Sequence, residues 1–266
     1  MCGIVGYIGK NNGIPVVIQG LQRLEYRGYD SCGIAMMGSE NIHLEKVTGK
    51  VDELSGLLAR QKNSSPVAIG HTRWATHGPP TMSNAHPHIS QDGKVALVHN
   101  GIIENYKLLK DGLEDSGYVF SSETDTEVIA ALVSQAYHGN LEHAVREALS
   151  HVVGAYGLAI IHADEPEKIV CTRKGAPLIM AVGEDEFFVA SDVAAILHYS
   201  KDVIYLDNEE IGILTPDGVK TYSGADEPID KKIHKITFNL EEIEKGGYDH
   251  FMLKEIFSQP QTIYDA

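Results

Sequence analysis

Apolar residues begin almost at the first position of this chain, and their spacing changes period several times along it. Gly3-Ile4-Val5-Gly6-Tyr7-Ile8-Gly9 is a short apolar run punctuated by glycine, which predicts a buried strand. Ile14, Val17, Ile18, Leu21 and Leu24 then recur at helical spacing, with Pro15 in the first turn where its missing N–H costs little. Residues 14–24 are therefore predicted to form an amphipathic helix on that strand. A polar, aromatic loop over 25–31 leads to an apolar run at 32–37; residues 42–48 read as a strand, and 50–60, with Val51, Leu54, Leu57 and Leu58, as a helix. A short strand over 67–70 delivers His71-Thr72-Arg73-Trp74-Ala75-Thr76-His77-Gly78-Pro79-Pro80, which ends in a loop breaker. Residues 94–99 form a further strand that ends at Asn100-Gly101.

Helices are expected at about 104–115, 124–138 and 141–152, the second opened by Thr124 and Glu127 at the spacing of a capping box. Beyond Gly154, strand-like runs follow at 156–162, 168–172, 177–182, 186–190, 203–206, 211–215 and 218–222, with one short helix after Asp192. Many strands on short turns, with the helices grouped in the first half, predict an α+β chain built on antiparallel sheets.

Composition narrows the functional classes. The 266 residues are 43% hydrophobic and 22% charged, enough to bury a full core and too apolar for a disordered chain. A formal charge of −15 opposes phosphate backbones and anionic membranes, and no local basic patch offsets it, so neither nucleic acid nor a membrane is an expected partner. No stretch has the length of a membrane-spanning helix or the basic start of a secretory signal. Cys2, Cys32 and Cys171 are few, odd in number and without CxxC spacing, which disfavours both a disulfide framework and a structural zinc site and points to a reducing cytoplasm.

The candidate chemistry starts at Met1-Cys2-Gly3. If the initiator methionine is removed, Cys2 carries both a thiol of ordinary pKa about 8.5 and an α-amine of about 7.7–8.0, so nucleophile and base share one residue. The alternative is that a cysteine at this position is incidental. Arg73 suits a carboxylate through a two-pronged fork and Trp74 can shield a site from water, whereas His71 and His77 read as structural hydrogen-bonding residues. Arg27, set between Tyr26 and Tyr29, reads as a loop anchor. Asn84-Ala85-His86-Pro87-His88 lacks a carboxylate or thiol at matching spacing, so no metal or other cofactor is expected. Asn100-Gly101 is either a tight-turn dipeptide or an oxyanion hole of two uncharged donors. Asp125 either complements a helix dipole or binds an ammonium group.

Five blocks together carry a resemblance: Met1-Cys2-Gly3-Ile4-Val5-Gly6, Glu25-Tyr26-Arg27-Gly28-Tyr29-Asp30-Ser31, His71-Thr72-Arg73-Trp74-Ala75-Thr76-His77-Gly78, His99-Asn100-Gly101-Ile102-Ile103-Glu104-Asn105 and Ser122-Glu123-Thr124-Asp125-Thr126-Glu127. In this order they resemble the glutaminase domain of the glutamine–fructose-6-phosphate aminotransferase (glucosamine-6-phosphate synthase) family, a class II glutamine amidotransferase. The resemblance implies an N-terminal nucleophile hydrolase fold, a four-layer αββα sandwich of antiparallel sheets. It also implies that Cys2 attacks the glutamine side-chain amide, releasing ammonia and leaving a γ-glutamyl thioester for water to hydrolyse. Asn100 and Gly101 would then form the oxyanion hole, Arg73 and Asp125 would hold the α-carboxylate and α-ammonium, and Trp74, Thr76 and His77 would belong to a loop closing over glutamine. Arg27 would support the nucleophile.

The implied glutaminase domain spans 2–239, and 240–266 would begin a linker. Family members continue into two sugar-isomerase domains that bind fructose 6-phosphate, so the chain is expected to be part of a longer, homo-oligomeric enzyme of amino-sugar synthesis. Rival readings are another amidotransferase of the class, of asparagine synthetase or phosphoribosylpyrophosphate type, an N-terminal cysteine acylase acting on bile-salt or penicillin amides, and a non-catalytic glutamine-binding domain. The Arg73-to-Gly78 block and the segment near 251–260, which resembles the one leading into the isomerase half, favour the sugar-phosphate enzyme, and Arg73 with Asp125 suits a zwitterionic amino acid better than an apolar acyl group.

Overall fold

A computed structural model describes residues 2–39, 41–61 and 63–237, with 248, 252, 253, 256, 257 and 259. The first half alternates strands and helices: β1 Gly3–Gly9, α1 Gly13–Leu24, a 3-10 turn Glu25–Arg27, β2 Ser31–Met37, β3 Ile42–Thr48, α2 Val51–Gln61, β4 Val67–Arg73, β5 His88–Ile89 and β6 Val95–Ile103. Three helices follow, α3 Tyr106–Asp115, α4 Thr126–Ala136 and α5 Leu141–Ser150. Strands then dominate: β7 Gly154–His162, β8 Glu165–Lys174, β9 Ile179–Val182, β10 Glu186–Ala190, β11 Asp202–Tyr205, β12 Ile211–Thr215, β13 Gly218–Tyr222, β14 Pro228–Ile229 and β15 His234–Lys235.

Backbone hydrogen bonds join these strands into two sheets, one in the order β15-β11-β9-β10-β1-β4-β2-β3 and the other β14-β13-β12-β8-β7-β6-β5. The pairings between named strands are antiparallel. Because side chains on a strand alternate between faces, β1 sends Ile4 and Ile8 inward against Val98, Ala159 and Ile169 of the other sheet, and Val5 and Tyr7 outward against α1. The helix α1 meets them with Val17, Leu21 and Leu24, while α4 and α5 cover the second sheet with Ile129, Val133, Ala144 and Val145. Helix, sheet, sheet, helix is the four-layer sandwich that the resemblance implied. Among the described residues no helix is long and apolar enough to cross a membrane.

Three local expectations are corrected. The strand expected to stop at residue 70 runs on to Arg73, because Ser31 pairs with Arg73 and Cys32 with Thr72 across β2 and β4. Asn100-Gly101 is not a hairpin turn, since β6 continues to Ile103 with Asn100 opposite Gly157 and Gly101 opposite Tyr156. The capping box is also absent: α4 starts at Thr126 with Asp125 as its N-cap residue. Glu127 instead accepts from Ser121 N and Ser122 N, while the Thr124 hydroxyl meets Ser122 Oγ and His88 Nε2. The incoming segment folds back over the helix start and offers its own N–H groups to the glutamate. The expected linker over 240–266 lies almost wholly outside the described residues.

Candidate active site

The pairing of β1 with β4 places Gly3 opposite Thr72, so Cys2 meets the chain as it leaves β4. There the Trp74 N–H donates to Cys2 Sγ at 3.2 Å, and the thiol lies 3.5 Å from Trp74 O. Burial pushes the Cys2 thiol above its ordinary value, and the hydrogen bond at Trp74 opposes that rise only in part. The resting group is a protonated thiol.

From the second sheet, the end of β6 faces this cysteine. Asn100 Nδ2 donates to Cys2 O at 3.3 Å, and its other hydrogen is left for a second acceptor. Gly101 has φ +135, and a Cβ at this position would lie 2.0 Å from Ala155 O, so only glycine allows β6 to pass β7 with this backbone. Asn100 and Gly101 thereby line the same cavity as Cys2.

Side chains of opposite charge line the same cavity, which holds about 860 Å³ and is lined by Cys2, Arg27, Arg73, Trp74, Thr76, His77, Asn100, Gly101 and Asp125 among others. The sequence-predicted site residues thus converge on one space. The buried Arg73 guanidinium donates to Pro79 O at 3.2 Å, Gly78 O at 3.2 Å and His77 O, and lies 3.7 Å from Asp30. It therefore organises the 77–79 loop as well as facing the cavity. Asp125 accepts from Ile103 N at 2.8 Å through Oδ2, while its Oδ1 contacts only the Thr126 hydroxyl at 3.4 Å. The Arg27 side chain is largely covered at the cavity wall, 3.6 Å from Asp192.

The 74–77 segment is held at several points. His77 packs edge-on against Tyr106 of α3 at 5.1 Å, with Thr76 Oγ1 3.4 Å from its Nδ1. Trp74 is 55% exposed, and its ring lies over Gly28, where a Cβ would come within 2.6 Å of it.

Asp30 is a residue the sequence reading did not assign. Its carboxylate takes the Ala75 N–H, accepts from Ser31 Oγ at 2.8 Å and neighbours Arg73. Nothing in a lone loop aspartate identifies that role; only the folding of residues 25–31 onto the exit of β4 creates it. His86-Pro87-His88 proves to be interior structure, with both rings buried and His86 stacked on His71 at 4.1 Å. Among the described residues no three His, Cys, Asp or Glu side chains converge as a metal site.

Several known proteins are similar to this chain. Residues 71–198 match the glutamine amidotransferase domain family. Over 266 residues the chain is 48% identical to the glutamine–fructose-6-phosphate aminotransferase (isomerizing) of Clostridium perfringens and 49% identical to that of Aquifex aeolicus. All of this chain is covered, but only 44% and 45% of those proteins, so it spans less than half the length of these relatives. Among solved structures, the Bacillus subtilis glutamine phosphoribosylpyrophosphate amidotransferase superposes with a TM-score of 0.73 at 28% identity, over 84% of this chain and 49% of that one.

Proposed function

We propose, for a chain that carries a class II glutamine amidotransferase domain, that it hydrolyses glutamine to glutamate and ammonia through a thioester on Cys2. One observation carries this reading: the thiol, two uncharged donors and an arginine–aspartate pair of opposite charge all face one cavity. In the proposed cycle the α-amine of Cys2 takes the thiol proton as sulfur attacks the side-chain amide carbon. Asn100 Nδ2 and Gly101 N–H receive the developing oxyanion. The tetrahedral species collapses, and the proton returns to nitrogen so that ammonia leaves and the thioester remains. Water, deprotonated by the same amine, then releases glutamate and restores the thiol.

Arg73 takes the α-carboxylate and Asp125 the α-ammonium, with the 74–77 segment as cover and Arg27 as support behind the nucleophile. The glutaminase unit extends over 2–239. The 48% identity over the whole chain favours a sugar-phosphate acceptor over the phosphoribosylpyrophosphate type, whose structural relative stands at 28%. In a longer, homo-oligomeric cytoplasmic enzyme the ammonia would serve glucosamine 6-phosphate synthesis from fructose 6-phosphate.

Glutamate release from L-glutamine by the purified chain tests the reading, and two variants test the recognition pair. Asp125→Asn keeps an oxygen for the Ile103 N–H but removes the charge. It is expected to lower kcat/KM by about 2–5 kcal/mol equivalent, mostly through KM. Arg73→Ala should lose at least as much, because it also frees the carbonyls at 77–79. Steady-state kinetics with an unchanged KM in Asp125→Asn would assign that carboxylate to structure alone.

A further inference from the structure

We propose that His71 is a positioning residue for catalysis: it fixes the Asn100 amide so that the NH2 group, and not the carbonyl, faces the reacting carbon. The proposal rests on the glutaminase reading given above.

His71 lies on β4, fully buried, and its side chain reaches across the sandwich to β6. Its Nε2 stands 3.0 Å from His99 O and 2.9 Å from Asn100 Oδ1. A backbone carbonyl only accepts, so the hydrogen must be on Nε2. The other ring nitrogen supports the same tautomer, because Nδ1 is buried without a hydrogen-bond partner and a proton there would be a stranded donor. Burial keeps the ring uncharged by lowering its pKa to about 3. Its plane is fixed by the stack on His86, at 4.1 Å between centroids and 18° between planes.

With a donor fixed at Nε2, the atom of Asn100 that faces it has to be an acceptor. That requirement decides the amide's orientation. Oδ1 takes the shared hydrogen, and Nδ2 is turned towards Cys2, where it lies 3.3 Å from the backbone oxygen. A flipped amide would set NH2 against N–H on one side. On the other it would aim a carbonyl oxygen at Cys2 O and at the site where negative charge develops. The unaided amide gains little from either orientation on size or shape, since oxygen and NH2 are nearly the same size. The histidine supplies the difference on one side and the Cys2 carbonyl on the other, and the histidine does so from the opposite sheet, linking the nucleophile's strand pair to the oxyanion strand.

The test is a double-mutant cycle on the full chain, with glutamate release measured for the wild type, His71→Phe, His71→Gln, Asn100→Ala and His71→Phe/Asn100→Ala. His71→Phe should lower kcat about 10- to 100-fold, a fraction of what loss of a whole oxyanion donor costs, with KM changed by less than about threefold. His71→Gln, whose amide N–H can reach the same two oxygens, should recover most of the loss. In the Asn100→Ala background the His71→Phe loss should vanish, since no amide remains to orient. An equal loss in both backgrounds would overturn the proposal. Should His71→Phe fail to fold, 15N NMR of histidine-labelled wild-type chain decides: a neutral ring protonated at Nε2 is expected, and one protonated at Nδ1 overturns the proposal. A wild-type chain that releases no glutamate would sink the functional reading and the catalytic half of this one, a result that leaves the NMR outcome unaffected.

Discussion

Replacing Cys2 by alanine is expected to reduce glutamate release by about 10³-fold or more, the scale on which hydrolases lose activity with their covalent nucleophile. The cavity, the oxyanion donors and the Arg73–Asp125 pair would all survive, so glutamine should still bind, and the loss should fall on kcat. Cys2→Ser should be almost as poor: a hydroxyl is far less acidic than the thiol, and the only base proposed here is an amine on the same residue. For that reason activity should also need Cys2 as the first residue, with a free amine. Intact mass alongside the activity assay checks this. Full turnover by a protein that keeps an extension ahead of Cys2 would remove the amine from the mechanism.

Much of this was readable along the chain, and the reasons differ from element to element. The apolar run of β1, buried on both faces, and the helical spacing of α1 and α2 locate these elements within a residue or two. The exit of β4 was misplaced because Thr72 and Arg73 are polar residues buried in a strand, where hydropathy gives no signal. The two short strands β14 and β15 are two residues each and have no pattern to read. At the site, Cys2, Arg73, Asn100, Gly101 and Asp125 stand out by chemistry, but their separation along the sequence hides that they meet. Antiparallel pairing of β1 with β4 and of β6 with β7 brings them together. Asp30 and the His71–Asn100 contact depend on that meeting, so no local motif could disclose them.

A second large effect should appear in acid. His71, His86, His88 and His99 are all buried, and burial lowers each pKa below the ordinary value, with mutual repulsion adding to this for His86 and His88. In the unfolded chain they take up protons below about pH 6.5. With their pKa values lowered in the fold these groups bind fewer protons there than in the unfolded chain, so stability falls as pH falls. Above about pH 7 both states are neutral and this contribution is flat. Between pH 7 and 5.5 His71, whose pKa in the fold is about 3, costs roughly 1 kcal/mol, and His86, His88 and His99 act in the same direction. Urea unfolding across this range should show the decline beginning near pH 6.5, before carboxylates titrate. Stability unchanged from pH 7.5 to 5.5 would show that the cluster is protonated in the fold.

Trp74 is the only tryptophan in the chain, and it is 55% exposed on Gly28 with its own backbone on the Cys2 thiol. Its indole emission is therefore a built-in optical signal from the mouth of the catalytic cavity, with no second tryptophan to dilute it. If the 74–77 segment draws over a bound amino acid, water leaves the ring, and the spectrum should shift to shorter wavelength in a saturable way. Glutamine added to the Cys2→Ala variant provides that measurement without turnover, and the midpoint of the shift gives the affinity directly. A spectrum that stays still at saturating glutamine would mean that the indole does not take part in covering the site.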